Sequence, residues 1–135
     1  MTRFIVTLLL LVSLAQSAEW SYTKEISLGK DQIQTVLVKE AGKLRVLKFR
    51  WTLFAGDGLV MHLNYNDRAS QFILYKHYKK ETYKVRLLPK VSAYKRVPYL
   101  YLVFKKFDHK TSKAHFDILI DDPEKRALIE LKESL

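Results

Sequence analysis

LRVLKFRWTLFAGDGLVMHLNY, residues Leu44–Tyr65, decides the fold class. Before the Gly-Asp-Gly triplet, Leu47, Phe49, Trp51 and Leu53 alternate with Lys48, Arg50 and Thr52. After it, Leu59, Met61, Leu63 and Tyr65 alternate with Val60, His62 and Asn64. Successive side chains of a strand point to opposite faces, so a period of two marks strands with one buried face. Ala55, Gly56, Asp57 and Gly58 form the turn between them, because an Asp-Gly pair accepts the positive φ that a tight hairpin needs. Leu44 and Val46 fall on the opposite parity to Leu47 and its successors. A bulge near Val46 and Leu47 would bring all of them inward, whereas a strand buried on both faces would need none.

The same alternation extends in both directions. Upstream, Trp20, Tyr22, Ile26 and Leu28 share one face against Ser21, Thr23, Glu25 and Ser27, and a second strand spans 33–39 before a return through 40–43. Downstream come a strand over 70–78 and one in which Tyr83, Val85 and Leu87 alternate with Lys84 and Arg86 until Pro89 removes a ladder donor. Residues 90–98 lack a pattern and read as the longest loop. Residues 99–107 are apolar on both parities and read as a central strand covered on both faces, followed by a turn over 109–113 and a strand marked by Phe116, Ile118 and Ile120.

The tail has two readings. Asp122 and Pro123 suit the start of a helix with Ala127, Leu128, Leu131 and Leu135 as its stripe. They equally suit a turn into a last strand with Ala127, Ile129 and Leu131 inward, and the hairpin is the favoured reading. The whole is all-β: one antiparallel β-sandwich or small closed barrel of about eight or nine strands. A transmembrane barrel fits poorly, since Lys48, Arg50, Lys84 and Arg86 would have to crowd a narrow lumen.

Residues 1–18 read as a cleaved signal peptide, with Arg3 as the positive start, Phe4 to Val12 as the apolar run and Ala15 to Ala18 as the small-residue exit. The run closes after roughly a dozen residues, short of the ~20 needed to span a bilayer. Residues 19–135 are then one exported domain, periplasmic or secreted, with no linker or repeat to divide it. The chain has no Cys, so neither disulfides nor a lipidated cysteine can hold it. Burial must suffice, and a hydrophobic content of 48% with 13% aromatics supplies the material for it. That composition also excludes disorder.

The net charge of +10 attracts polyanions at long range, and it also keeps a domain soluble. Basic and aromatic residues interleave over Lys76, Tyr78, Lys79, Lys80, Tyr83, Lys84 and Arg86, followed by Lys90, Tyr94, Lys95 and Arg96. Cations draw phosphates or carboxylates while rings stack on sugars or bases, which is the physical form of an anion platform. The candidate binding residues are Lys48, Arg50, Lys76, Lys79, Lys80, Lys84, Arg86, Lys95 and Arg96. Lysines at sheet edges also discourage strand addition, which accounts for Lys79 and Lys80 without a ligand.

Other chemistry is weakly signalled. Of the four histidines, His62 and His77 would face each other across a hairpin in one register, but no spacing matches a metal site. Asp108, His109, His115 and Asp117 would orient an imidazole for base catalysis if the hairpin brought them together, yet no nucleophile accompanies them. No catalytic residue, metal or cofactor is assigned. The expected role is a non-enzymatic exported domain that binds an anionic envelope component or an acidic partner, with peripheral membrane association open to it. Nucleic acid is disfavoured for an exported chain without a recognised binding motif. The alternatives are an envelope assembly protein that accepts a strand at an open sheet edge, an enzyme inhibitor or a small hydrolase.

Overall fold

The computed structural model describes residues 20–76, 80–93 and 95–132, and within them the alternating pattern folds into nine strands and no helix. The strands are β1 (Tyr22–Gly29), β2 (Gln34–Glu40), β3 (Lys43–Ala55), β4 (Gly58–Tyr65), β5 (Arg68–Tyr75), β6 (Thr82–Arg86), β7 (Tyr99–Asp108), β8 (Lys113–Asp121) and β9 (Leu128–Lys132). They form a four-stranded sheet in the order β1-β8-β7-β6 and a five-stranded sheet in the order β5-β4-β3-β2-β9. All pairs are antiparallel, and each sheet keeps its own two edge strands. The architecture is thus a β-sandwich and not a closed barrel. The chain crosses between sheets at β1 to β2, β5 to β6 and β8 to β9.

Three tight turns build the β2–β5 meander. Glu40 pairs with Lys43 across Ala41 (φ 46°) and Gly42 (φ 80°), and Tyr65 pairs with Arg68 across Asn66 (φ 52°) and Asp67 (φ 65°). Positive φ at both central residues matches the twist of the flanking strands. In the third turn Ala55 pairs with Gly58, and the positive φ falls on Gly56 (φ 61°), so the Asp-Gly pair itself is not the turn's flexible element. Gly58 serves packing instead, since a Cβ there would lie 2.9 Å from the ring of its cross-strand partner Tyr75.

The core lies between the sheets. Val36, Val38, Leu47, Phe49, Trp51, Leu59, Met61 and Leu63 of the five-stranded sheet face Leu28, Leu100, Leu102, Phe104, Phe116, Ile118 and Ile120 of the other. The buried Trp51 indole donates to Leu28 O at 2.8 Å, a direct link between layers.

The bulge in β3 is not at Val46 and Leu47, where pairing with β2 runs unbroken, and Leu44 stays 55% exposed. It lies between Trp51 and Leu53. There Asp31 N donates to Trp51 O at 2.9 Å, Leu53 turns outward and Phe54 turns into the core. A second bulge between Phe104 and Lys106 in β7 does the same for Phe107. The two re-aimed rings stack across the sheets with centroids 4.2 Å apart and planes 13° from parallel.

Three further expectations change. β7 is an interior strand, but only Leu100, Leu102 and Phe104 are fully buried, while Tyr99, Tyr101 and Val103 on the outward face are half-buried. Trp20 does not share the inward face of Tyr22, because its ring meets outward-facing Tyr101 at 5.2 Å. The tail is a strand with Ala127, Ile129 and Leu131 packed on the core, yet it crosses to β2 and forms no hairpin with β8. The signal-peptide reading of residues 1–18 falls outside the described residues.

Candidate anion-binding face

Alternation and register together sort the basic residues. Lys48 and Arg50 lie on the outer face of the five-stranded sheet, where Arg50 meets Asp31 at 3.8 Å. Lys84 and Arg86 lie on the outer face of the four-stranded sheet, on the parity opposite buried Val85. Packed sheets stand about 10 Å apart with side chains beyond on each side, so one flat ligand cannot engage both groups. Lys76 and Lys80 are exposed at the β5–β6 connection, Lys79 lies outside the described residues, and Lys95 and Arg96 are exposed in the β6–β7 loop. The eight candidate cations among the described residues therefore do not form one patch.

The four-stranded sheet gathers the better-defined subset. Lys84 pairs with Tyr101 and Arg86 with Tyr99 across the β6–β7 ladder, so all four side chains project to the same side. The Lys84 ammonium sits 3.9 Å from the Tyr99 ring centroid and 5.7 Å from that of Tyr101. Such contacts stabilise by about 0.5–1 kcal/mol at exposed sites and hold the cation over a flat apolar surface. Trp20 extends that surface on the far side of Tyr101, with its ring tilted 69° to the tyrosine.

The face also has a charge gradient. Lys84 and Arg86 on β6 and Lys106 on β7 occupy one half, while Asp117 and Asp121 on β8 and Glu25 on β1 occupy the other. Lys105 at the β7 bulge meets Asp117 at 3.5 Å, and Arg96 meets Asp121 at 3.9 Å. An anion is therefore drawn to the β6 edge and repelled from the β8 side.

Arg126 positions the loop that brings Arg96 to this face. Its side chain, only 8% exposed, donates to Pro89 O and Arg96 O at 3.2 Å each and pairs with Glu40 at 3.4 Å. Arg126 is itself placed by buried Asp122, whose carboxylate accepts from Arg126 N at 3.0 Å and Ala127 N at 2.9 Å. Glu40 also meets Arg45 at 3.6 Å. Beside them Tyr65 donates its hydroxyl to Leu87 O. Burial pushes the Tyr65 hydroxyl up to about 12, with Arg45 opposing and Glu40 assisting.

The remaining candidates separate. His62 pairs with Gln71, and His77 lies outside the described residues. Asp108 pairs with Lys113 and accepts from Lys110 N at 2.9 Å, the contact that most lowers its carboxyl below the usual range. His109 packs on Phe54 and Phe107, His115 pairs with Lys106, and Asp117 faces Lys105. These four do not meet in one cleft. Among the described residues no group of three or more His, Cys, Asp or Glu is arranged to hold a metal.

Sequence reasoning missed Trp20, Tyr99 and Tyr101 as surface aromatics. The signal that could have found them is their parity: Leu100, Leu102 and Phe104 form a complete inward set, which leaves the tyrosines for the other face.

What fold and face define is a two-sheet antiparallel sandwich with a cationic, aromatic strip on the outside of its smaller sheet. No known protein family, curated protein or solved structure matches this chain.

Proposed function

We propose that this is a non-enzymatic exported domain that binds an anionic component of the cell envelope through the strip formed by Lys84, Arg86, Tyr99, Tyr101 and Trp20. The observation that carries the reading is the Lys84 ammonium held 3.9 Å over an outward-facing tyrosine ring, beside exposed Arg86. Charge attracts the ligand, and the rings offer a flat surface to its sugar or acyl portion. Lys95 and Arg96 extend the strip, whereas Lys48, Arg50, Lys76 and Lys80 contribute long-range attraction only.

Association driven by surface charge weakens steeply with salt. Retention on anionic phospholipid vesicles or lipopolysaccharide, compared at low and moderate salt, is the test. Strong retention that falls with salt, and falls again in Lys84→Gln/Arg86→Gln but not in Lys48→Gln/Arg50→Gln, supports the assignment. Equal retention at both salt levels removes it, and capture by an acidic protein in place of vesicles redirects it.

The second reading, strand acceptance, is favoured by the eight-residue edge of β1, which pairs only with β8, and by the spread of cations over both faces. One residue counts against it. Lys24 occupies an inward-facing position on that edge, a known device against strand addition.

A further inference from the structure

The strands β1, β6, β5 and β9 end the two sheets, and three of these edges are blunted. β6 and β9 run for five residues each, and β1 carries Lys24 on the parity of buried Leu28. β5 differs. It is eight residues long, keeps an unbroken register with β4 and contains neither Pro nor Lys.

The free side of β5 follows from one bond. Tyr75 N donates to Lys80 O at 3.0 Å, so it points away from β4. In an antiparallel ladder the N–H and C=O of one residue share a side, and that side alternates along the strand. Ala69, Gln71 and Ile73 therefore present both groups outward as well. All three are exposed, and no group among the described residues bonds to their outward backbone.

Beside this edge, on the outer face of the larger sheet, lies a hollow of about 330 Å³ lined by Lys48, Arg50, His62, Asn64, Ala69 and Ser70 among others. Register places Lys48, Asn64 and Ala69 in one row across the sheet and Arg50, His62 and Gln71 in another. Neighbouring strands stand about 4.8 Å apart, so an acidic side chain on a strand added to β5 crosses the small Ala69 and enters the hollow. Lys48 has no ion pair among the described residues, and Arg50 has only the 3.8 Å contact to Asp31.

We infer that the edge of β5 accepts an extended acidic segment of a partner protein as an added strand. Backbone bonds to Ala69, Gln71 and Ile73 supply the affinity, and a carboxylate directed at Lys48 and Arg50 supplies the selectivity. A second copy of this chain is the other available strand donor, but it brings the same net charge of +10. Exposed Lys76 and Lys80 just beyond β5 repel such a strand and attract an acidic one. The site lies on the opposite layer from the β6–β7 strip and does not depend on it.

The test is calorimetric titration of the purified protein with a short synthetic peptide of alternating Val and Thr with Glu at its middle, alongside the same peptide with Lys there. Saturable one-to-one binding of the Glu peptide is expected. Loss of a charge-assisted contact should weaken it about tenfold in the Lys peptide and in Lys48→Gln/Arg50→Gln, with no change in Lys84→Gln/Arg86→Gln. Gln71→Pro removes an outward N–H and spares the β4 ladder, so it should also weaken binding about tenfold. N-methylation of one alternate set of peptide amides should abolish binding while the other set tolerates it, a readout that needs no variant to fold. Four results overturn the inference: equal affinity for the Glu and Lys peptides, tolerance of both methylated sets, unchanged affinity in Gln71→Pro with a wild-type circular dichroism spectrum, or loss in Lys84→Gln/Arg86→Gln instead. The last would move the peptide to the strip, whereas the others leave the strip's vesicle binding untouched.

Discussion

The two sides of this sandwich are finished in opposite ways. Along β5 and β6 the sheets are stitched together: Phe72 and Tyr83 stack at 3.7 Å with planes 6° apart, and Tyr75 N donates to Lys80 O at 3.0 Å. Along β1 and β9 the described residues show no such ring stack, and a cleft takes the place of the seam; the Trp51 contact to Leu28 O ties β1 to β3, behind that cleft. Aromatic rings can close a flank because one pair spans the gap between layers, while Tyr22, Ile26, Ile129 and Leu131 only line it. Where the sheets are left apart, interior side chains stay only half-buried.

The largest effect should come from cutting core out of the two sides in parallel. Leu74→Ala on closed-side β5, where the residue is 2% exposed, is expected to cost about 2–4 kcal/mol in urea unfolding. Ile26→Ala on the open side, half-buried, should cost about 1 kcal/mol. Equal losses would break the contrast.

Next is the crossover that carries the chain to β9. Asp122→Ala leaves Arg126 N and Ala127 N without their acceptor, and about 2 kcal/mol of stability should go with it. Fluorescence quenching of Trp20 and the strip's vesicle retention should both change too, because Arg126 holds the Arg96 loop.

A smaller effect sharpens the closed side. Tyr65→Phe removes the hydroxyl contact to Leu87 O and should cost about 1 kcal/mol at neutral pH. Burial holds the folded hydroxyl's pKa at about 12 against the ordinary tyrosine value of 10.0, so its contribution is complete below pH 10 and is lost as pH rises toward 12, where the unfolded chain ionises first. Wild type should therefore lose stability over that alkaline window more steeply than Tyr65→Phe in paired melts. Last, native-state hydrogen exchange should show faster exchange in β1 and β9 than in β5 and β6, without any substitution. Uniform protection would remove the distinction between the flanks.

Strand identity was legible because period two is a direct consequence of the pleat. Tyr22 to Leu28, Leu47 to Trp51 and Leu59 to Tyr65 needed no tertiary information. The bulges were harder, since Leu44 and Val46 offered a false phase change: both are apolar residues left on the outward face. The true signal was spacing, with Trp51 and Phe54 three apart and Phe104 and Phe107 three apart. Which sheet each strand joins was not legible, because a short connection can return beside its predecessor or cross to the other layer, as Pro123 to Ala127 does. For the same reason parity correctly grouped Lys84 with Arg86 but said nothing about Lys48 and Arg50 lying on the opposite layer. Lys24 was visible only as an interruption of a pattern.

The stacked Phe54 and Phe107 rings have a consequence for how the molecule can come apart. Each ring enters the interior only because its own strand carries one extra residue at a fixed place, so sliding either strand by a single step would eject a ring and strand the other. The two ladders are in effect keyed to one another, and neither sheet can drift into a neighbouring alignment alone. Melting should accordingly proceed as one transition rather than sheet by sheet.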